Sequence, residues 1–371
     1  METAVLEPPL LVAACALGDG ERVVTDLAEL QRLRSAWDAV EQLDPSPMQT
    51  FAWSLACAET LVAPGAARVL VSSRFGQPLA VAPLAQVPNS PGRWQQVGVE
   101  QLYEPADLVY GDGASLNRLL CGLRKSGHPF VLGRVSVESP TIAAVRQVFA
   151  RRGIVAIRKQ RSYPYIALDE SWRQPEQNLS SRRRSDLRRA LKRAEEVGEV
   201  TSEVVAPDVR ELDGLLDRAF EIEARSWKGV AGTALARDKL RAAFFRRYAH
   251  EACQAGMLRL AWLRMGDKLV AMQIAVEHRR RLWLLKIGYD EQFARCSPGS
   301  LLTARTIQYA AEQELEGYEF LGISSPWTEM WTEQERHFVA IRVYPFTARG
   351  LLALAVDGLV AVRQRLQRRA T

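Results

Sequence analysis

Apolar residues recur along this chain in two rhythms. Over 282–289 they are almost continuous, Leu-Trp-Leu-Leu-Lys-Ile-Gly-Tyr, a run too short for an ordinary helix and of the kind expected of a strand covered on both faces. From Leu301 they change to Leu301, Ala304, Ile307, Ala311 and Leu315, one face of a helix. Ser297 stands where an N-cap belongs, Pro298 suits the first helical position because its missing N–H would be unpaired there anyway, and Gly317 is the expected stop. The stretch 281–302 therefore predicts a central strand, a polar loop and a helix start, and the chain is organised around it.

The same rhythms order the rest. The spacing predicts a short strand near 22–25, a helix over 26–43 through Leu27, Leu30, Leu33, Trp37 and Val40, and a second helix after Thr50. Residues 69–73 and 79–87 read as a hairpin turning at Gly76, then 130–137 as a strand, 141–151 as a helix and 154–157 as a strand. Residues 169–181 are polar and carry a proline, as a connection between domains would. A basic helix over 181–197 follows, with Leu187, Ala190, Leu191 and Ala194 on one side, suited to packing between two domains. The second half repeats the grammar: strand 199–205, helices 209–227 and 234–255, strand 257–264, a hairpin turning at Gly266-Asp267 into 268–277, the central strand and helix, and strands at 318–322 and 338–346. The expected organisation is a poorly patterned leader (1–21), an N-terminal domain (22–168), a linker with the basic helix (169–198), a C-terminal domain (199–346) and a basic amphipathic C-terminal helix (347–371).

Composition narrows the class. At 371 residues the chain is long enough for two ordinary cores, and 25% charged with 47% hydrophobic residues is globular composition. No apolar run is long enough to cross a bilayer, and the apolar stretch 10–17 lacks a basic flank, so a cytoplasmic protein without membrane span is expected; peripheral contact stays open. The five cysteines are scattered without a Cys-x-x-Cys pair and are expected to be reduced, and the four histidines are isolated, so no metal site is expected. Much of the net charge of +6 lies in 182–193 and 363–369, which points to anionic partners, although the basic helix lacks interleaved aromatics and nucleic acid is not the expected one.

Candidate chemistry gathers around the central stretch. With no side chain at Gly299 and a short one at Ser300, the first-turn N–H groups can be approached by a phosphate, and Arg295 can add a charge-assisted contact. Asp290, at the end of the strand, and Glu223, in the helix leading to Arg225, Trp227 and Lys228, are alternative proton acceptors; His337 is a third. Trp327 and Trp331 are placed to line an acceptor pocket or to pack in the core. Cys296 has no histidine near in sequence and reads as a packed thiol.

These residues carry a resemblance. Segments 223–229 (Glu-Ala-Arg-Ser-Trp-Lys-Gly), 256–260, Tyr289-Asp290, 297–302 (Ser-Pro-Gly-Ser-Leu-Leu) and 318–322 resemble the GNAT acyltransferase superfamily. Their order resembles the CelD/BcsL-like acetyltransferases associated with cellulose and exopolysaccharide biosynthesis; the first half resembles them more weakly, through Trp37, Phe51, Trp53 and 82–84. The resemblance implies an α/β (α+β) fold of tandem GNAT-like domains, the first degenerate, each a mixed, mainly antiparallel sheet flanked by helices. It implies acyl-CoA, acetyl-CoA foremost, as co-substrate held by Ser297, Gly299, Ser300 and Leu301, and direct transfer to a carbohydrate or cell-envelope precursor. The chain departs from the usual glycine-rich loop in having Pro298, and lacks a basic residue before Trp327. The alternatives are an aminoacyl-tRNA-dependent transferase of Fem type and a non-catalytic scaffold in polysaccharide assembly.

Overall fold

A computed structural model describes residues 20–41, 46–74, 77–90, 92–226 and 238–370. The first half runs β1 (Glu21–Val24), α1 (Leu27–Arg32), α2 (Arg34–Glu41), α3 (Phe51–Thr60), β2 (Ala67–Arg74), β3 (Gln77–Gln86), β4 (Trp94–Gln96), α4 (Val99–Leu102), β5 (Val109–Tyr110), α5 (Gly113–Ser126), β6 (Phe130–Ser136), α6 (Pro140–Phe149), β7 (Gly153–Lys159) and β8 (Tyr163–Ala167). The second runs α7 (Ser181–Glu195), β9 (Val200–Val205), α8 (Leu212–Ala224), α9 (Lys239–Gln254), β10 (Leu258–Met265), β11 (Lys268–His278), β12 (Arg281–Tyr289), α10 (Pro298–Glu312), β13 (Gly317–Glu319), α11 (Pro326–Glu329), β14 (Glu335–Arg336), β15 (Phe338–Pro345) and α12 (Ala348–Ala370).

Two sheets result. The first has the order β1-β2-β3-β4-β6-β15-β7, with β5 on β3; the second is β14-β8-β13-β12-β11-β10-β9. Each is antiparallel apart from one parallel pair, β4–β6 in the first and β12–β13 in the second. The mixed, mainly antiparallel α/β plan expected for both halves is what the chain adopts. Strands are apolar on both faces because both are covered: along β10, Leu258, Leu260 and Trp262 enter one core cluster, and Ala261, Leu263 and Met265 enter another.

Sheet membership departs from chain order at two places. β8, from the first half, lies between β13 and β14 of the second sheet, and β15, near the C-terminus, lies between β6 and β7 of the first. The halves thus exchange one strand each. Their cores are also continuous: Trp53 on α3 meets Phe244 and Tyr248 on α9 edge-on, each at a centroid distance of 4.8 Å, and Arg34 pairs with Glu251 at 2.6 Å.

Several local expectations are corrected. Gly317 does not end the central helix. That helix stops at Glu312, where Glu314 takes the left-handed conformation (φ 55°) and Leu315 N–H returns to the Ala310 carbonyl, while Gly317 opens β13. The basic helix α7 does not pack between the units. Its Ala190 and Ala194 are buried with Leu301 and Leu302 of α10, inside the second unit, and Leu191 is exposed. Cys57, Cys253 and Cys296 are free thiols as expected, whereas Cys121 is disulfide-bonded. The hairpin turn at Gly76 lies outside the described residues. No helix among the described residues is long and apolar enough to cross a membrane. The long α12 is tied to the first sheet through Asp357, which pairs with Arg93 at 2.8 Å and Arg342 at 2.9 Å, and it exposes Leu351, Leu352, Leu359 and Val362.

Because each sheet contains a strand from the other half, the units should not melt separately. Ile341, fully buried on β15 in the first core, is the probe. Ile341→Ala should cost about 3 kcal/mol and lower a single calorimetric transition that reports both units. Two independent transitions, only one of them shifted, would refute the exchange.

Candidate functional site

The second sheet opens beside its parallel pair. β12 and β13 are joined only over Arg281–Trp283 and Gly317–Glu319. Beyond Trp283 the two diverge, and β12 carries a bulge: Leu284 faces Ala275 and Lys286 faces Ile274, so Leu285 has no partner across the ladder. The opening is a groove of about 480 Å³ lined by 284–289 on one side and 320–323 on the other. Ser297, Gly299 and Ser300 of the α10 start close one end, and Trp327 and Glu104 complete the wall. The floor is tight. A Cβ on Gly288 would stand 2.9 Å from the Glu223 Cα, so only glycine lets α8 lie against β12 there.

The α10 start differs from the expected cradle. Ser297 holds the N-cap position in a left-handed conformation (φ 47°) and makes no side-chain cap bond. Its N–H bonds to the Ala294 carbonyl, and its own carbonyl already accepts from Ser300 N–H at 3.0 Å and Leu301 N–H at 3.2 Å. With Pro298 lacking an N–H, the donors left for an anion are the Gly299 amide and the hydroxyls of Ser297 and Ser300. Leu301 points its side chain into the core with Ala190 and Ala194. Arg295 is exposed, and Arg193 of α7 donates to its carbonyl at 2.6 Å, which brings a second guanidinium beside the helix start.

The expected proton acceptors lie at three different places. Asp290 caps the turn after β12, accepting from Gln292 N–H at 3.0 Å, and pairs with Arg225 at 3.0 Å; neither residue lines the groove. Glu223 is buried beneath the groove floor, its carbonyl accepting from the Ser226 hydroxyl at 2.6 Å. His337 is exposed between β14 and β15 and lines neither cavity described here. The tryptophans divide: Trp327 sits edge-on to Phe320 at 5.7 Å on the groove wall, while Trp331 is buried in the core beside Tyr318 and Phe320. Trp227 and Lys228 lie outside the described residues. No cluster of metal-ligating side chains occurs among the described residues.

A second cavity, of about 560 Å³, adjoins the groove between the two units. Arg134, Tyr163, Arg281, Trp283, Arg336 and Phe338 are among its walls. Glu319, fully buried, accepts from Arg281 at 2.7 Å and Arg336 at 3.0 Å, and Arg336 lies 3.6 Å over the Tyr165 ring. Arg134 is buried in an unusual left-handed backbone conformation (φ 52°), 4.3 Å over Tyr103, and donates to the Gly322 carbonyl at 3.3 Å. Leu321 and Gly322 are both left-handed (φ 57° and 63°), a conformation that glycine adopts freely and that strains the backbone only at Leu321, in the wall between the cavities. On the groove side of that wall stands Glu104. The Gly322 N–H donates to its carboxylate, its Oε2 is shut from water with no hydrogen-bond partner, and burial pushes its pKa up to about 7 against the opposing pull of Arg134 and Lys286.

Sequence reasoning missed Glu104, Arg134 and Lys286. Glu104 and Arg134 come from the first unit, more than a hundred residues before the groove, and no local pattern ties them to it. Lys286 was visible as the one charge inside the apolar run of β12.

Removing the charge of Glu319 tests the hub between the cavities. Glu319→Gln leaves two guanidiniums facing a neutral amide, and the stability lost should be about 2 kcal/mol, less than the roughly 3–5 kcal/mol of a fully buried pair because both arginines are partly hydrated. Denaturant titration reads this directly; a change below about 0.5 kcal/mol would mean the pairs contribute nothing net.

Comparison with known proteins places the groove in a family context. Residues 181–329 match the acetyltransferase (GNAT) domain, a span that contains α7, the groove strands and α10. No curated protein matches the chain. Among solved structures, the chain is similar to FemX (12% identity, 88% of this chain and 98% of that one, TM-score 0.55). It is also similar to L-PGS from Bacillus licheniformis (13%, 90% and 96%, TM-score 0.54). The C-terminal domain of a lysylphosphatidylglycerol synthetase from Agrobacterium fabrum is a third (12%, 90% and 97%, TM-score 0.53). At these identities the likeness is one of fold. The chain thus has a mixed α/β fold in which residues 181–329, in the second unit, match the acetyltransferase (GNAT) domain.

Proposed function

We propose that the second unit transfers an acyl group from acyl-CoA, acetyl-CoA foremost, to an amine or hydroxyl of a carbohydrate or cell-envelope precursor by direct attack on the thioester. The observation that carries this reading is the open groove where β12 and β13 part. It combines the features such a transfer needs: an apolar wall for the donor chain, a bulged strand whose backbone is released from the ladder at Leu285, and a helix start at the far end. Gly299 N–H, the Ser297 and Ser300 hydroxyls, Arg295 and Arg193 would hold the donor's phosphates. That the groove is open disfavours the scaffold alternative. The acceptor class rests on the resemblance to exopolysaccharide-associated acetyltransferases; within it Trp327 is the side chain placed to stack on a sugar or chain at the groove mouth.

The first unit offers no second donor site. Its counterpart of β12, α10 and β13 is β4, α5 and β6, and its helix start is capped by Asp112, whose carboxylate accepts from Ser115 N–H at 2.7 Å and is held below the usual range by that bond. A fixed carboxylate at that place repels phosphate.

Gly299→Val should abolish donor binding without unfolding the chain, because a β-branched side chain would fill the approach to the helix start. Gly299→Ala should bind, since its Cβ would make only an ordinary 3.4 Å contact with Tyr289. Titration calorimetry with acetyl-CoA should find one molecule per parent chain, and saturation at a hundred times Kd should stabilise the parent by about 2.7 kcal/mol. Normal binding by the valine variant would overturn the cradle.

The Fem-type reading makes a different demand on α7. If its arginines grip transfer RNA, replacing Arg183, Arg184 and Arg188 by Gln should weaken RNA binding and flatten its salt dependence. On the acyl-CoA reading the triple variant keeps acetyl-CoA binding, and the parent shows no tight tRNA complex at physiological salt. A tight, salt-steep complex with aminoacyl-tRNA, lost in the variant, would replace acyl-CoA as the donor.

A further inference from the structure

We infer that Glu104, projected by the first unit into the groove of the second, is the proton acceptor for the acyl transfer, so that the catalytic centre is completed only across the two units. This rests on the acyl-CoA reading above and adds to it the residue that activates the acceptor.

The placement argues first. Glu104 lines the groove, its chain neighbours Pro105 and Ala106 line the adjoining cavity, and Arg134 and Gly322 form the wall between. A nucleophile arriving through the second cavity and a thioester lying in the groove would meet at this carboxylate. The setting of the carboxylate argues second. Glu104 lines the groove, so its carboxylate is placed to take a proton from a group in the groove, while its Oε2 is desolvated and makes no hydrogen bond that would hold the charge on it. Asp290 and Glu223 do not line the groove: the first is a cap and an ion pair, and the second lies beneath the floor. The electrostatics argue third. The charged and titratable groups facing Glu104 are Arg134 on β6, Lys286 on β12, and Tyr163 on β8, with Tyr103 adjacent; the two cations favour the carboxylate, and burial opposes it. The balance leaves a base that is ionised above about pH 7 and whose affinity for a proton suits transfer at neutral pH.

In the step so assigned, the acceptor nitrogen or oxygen forms a bond to the thioester carbon as its proton passes to the Glu104 carboxylate. The carbon–sulfur bond breaks with its electron pair going to sulfur, and the proton is handed on to the leaving thiolate. The products are the acylated acceptor and free coenzyme A, with Glu104 returned to the carboxylate. Lys286, on the bulged strand, faces the same space and would offset charge as it moves.

Glu104→Gln in the full chain is the test. The amide oxygen can still accept from Gly322 N–H, so a structural role predicts no change. The expected result is acetyl-CoA affinity within about threefold of the parent and thiol release from acetyl-CoA, with water and glucosamine as probe acceptors, reduced at least about a hundredfold. The parent's rate should fall tenfold per pH unit below about 7, where Glu104 is protonated, and that limb should vanish in the variant. A difference infrared titration of parent against variant gives an independent reading: one carboxyl band titrating near neutrality, displaced by acetyl-CoA, and missing from Glu104→Gln. Unchanged thiol release in the variant, or a Glu104 band insensitive to acetyl-CoA, would overturn the role of Glu104 while leaving donor binding standing. Failure of the parent to bind acetyl-CoA would remove the donor reading and this inference together.

Discussion

The exchange of β8 and β15 is the constraint on which the rest depends. A strand between two neighbours closes backbone hydrogen bonds on both edges, and buried N–H and C=O groups left open would each cost free energy comparable to a lost bond. Taking β15 from the first sheet would leave β6 and β7 facing each other across a gap, and taking β8 from the second would do the same to β13 and β14. Neither half can complete its sheet alone. The same two strands carry Tyr163 and Phe338, stacked at 5.1 Å, beneath Arg134 at the junction of the two cavities. The strand exchange thus fixes the walls of the site as well as the fold.

The two sheets share a plan and differ at one place. Both contain a parallel pair that parts company. In the second unit the parting is left open as the groove. In the first it is closed: Val99 packs on Gly133, where a Cβ would come within 2.6 Å, and Ala106 N–H bonds to the Arg134 carbonyl. The segment that closes the first opening, 97–108, is the one that carries Glu104 into the second. One segment therefore fills the parting in the first sheet and places a carboxylate at the groove of the second.

Much of this was legible in the sequence where chemistry is local. The continuous apolar run at 282–289 and the 3.6-residue spacing after Pro298 gave the central strand and helix, because both depend only on neighbours along the chain. Thr50 was readable as the start of α3, and its hydroxyl does accept from Trp53 N–H. The capping signal Asp112-x-x-Ser115 marks the start of α5 equally well. What could not be read is pairing between distant segments. Nothing in Tyr-Pro-Tyr-Ile-Ala at 163–167 reports that its partners are 317–319 and 335–336. Trp327 and Trp331 look alike at four-residue spacing, and only tertiary packing sends one to the groove and the other to the core. Asp290 looked free at the end of its strand, and the Arg225 that claims it is sixty-five residues upstream. Glu104 was invisible for the same reason on a larger scale.

The most direct test of the account is the structure of the acetyl-CoA complex, with the position of the thioester carbon measured against the two units. That carbon should lie in the groove between Leu284–Tyr289 and Phe320–Ile323, with the Glu104 carboxylate on its acceptor side and the phosphates at the start of α10. A donor seated in the cavity between Arg134 and Arg336, or at the α5 start of the first unit, would contradict it.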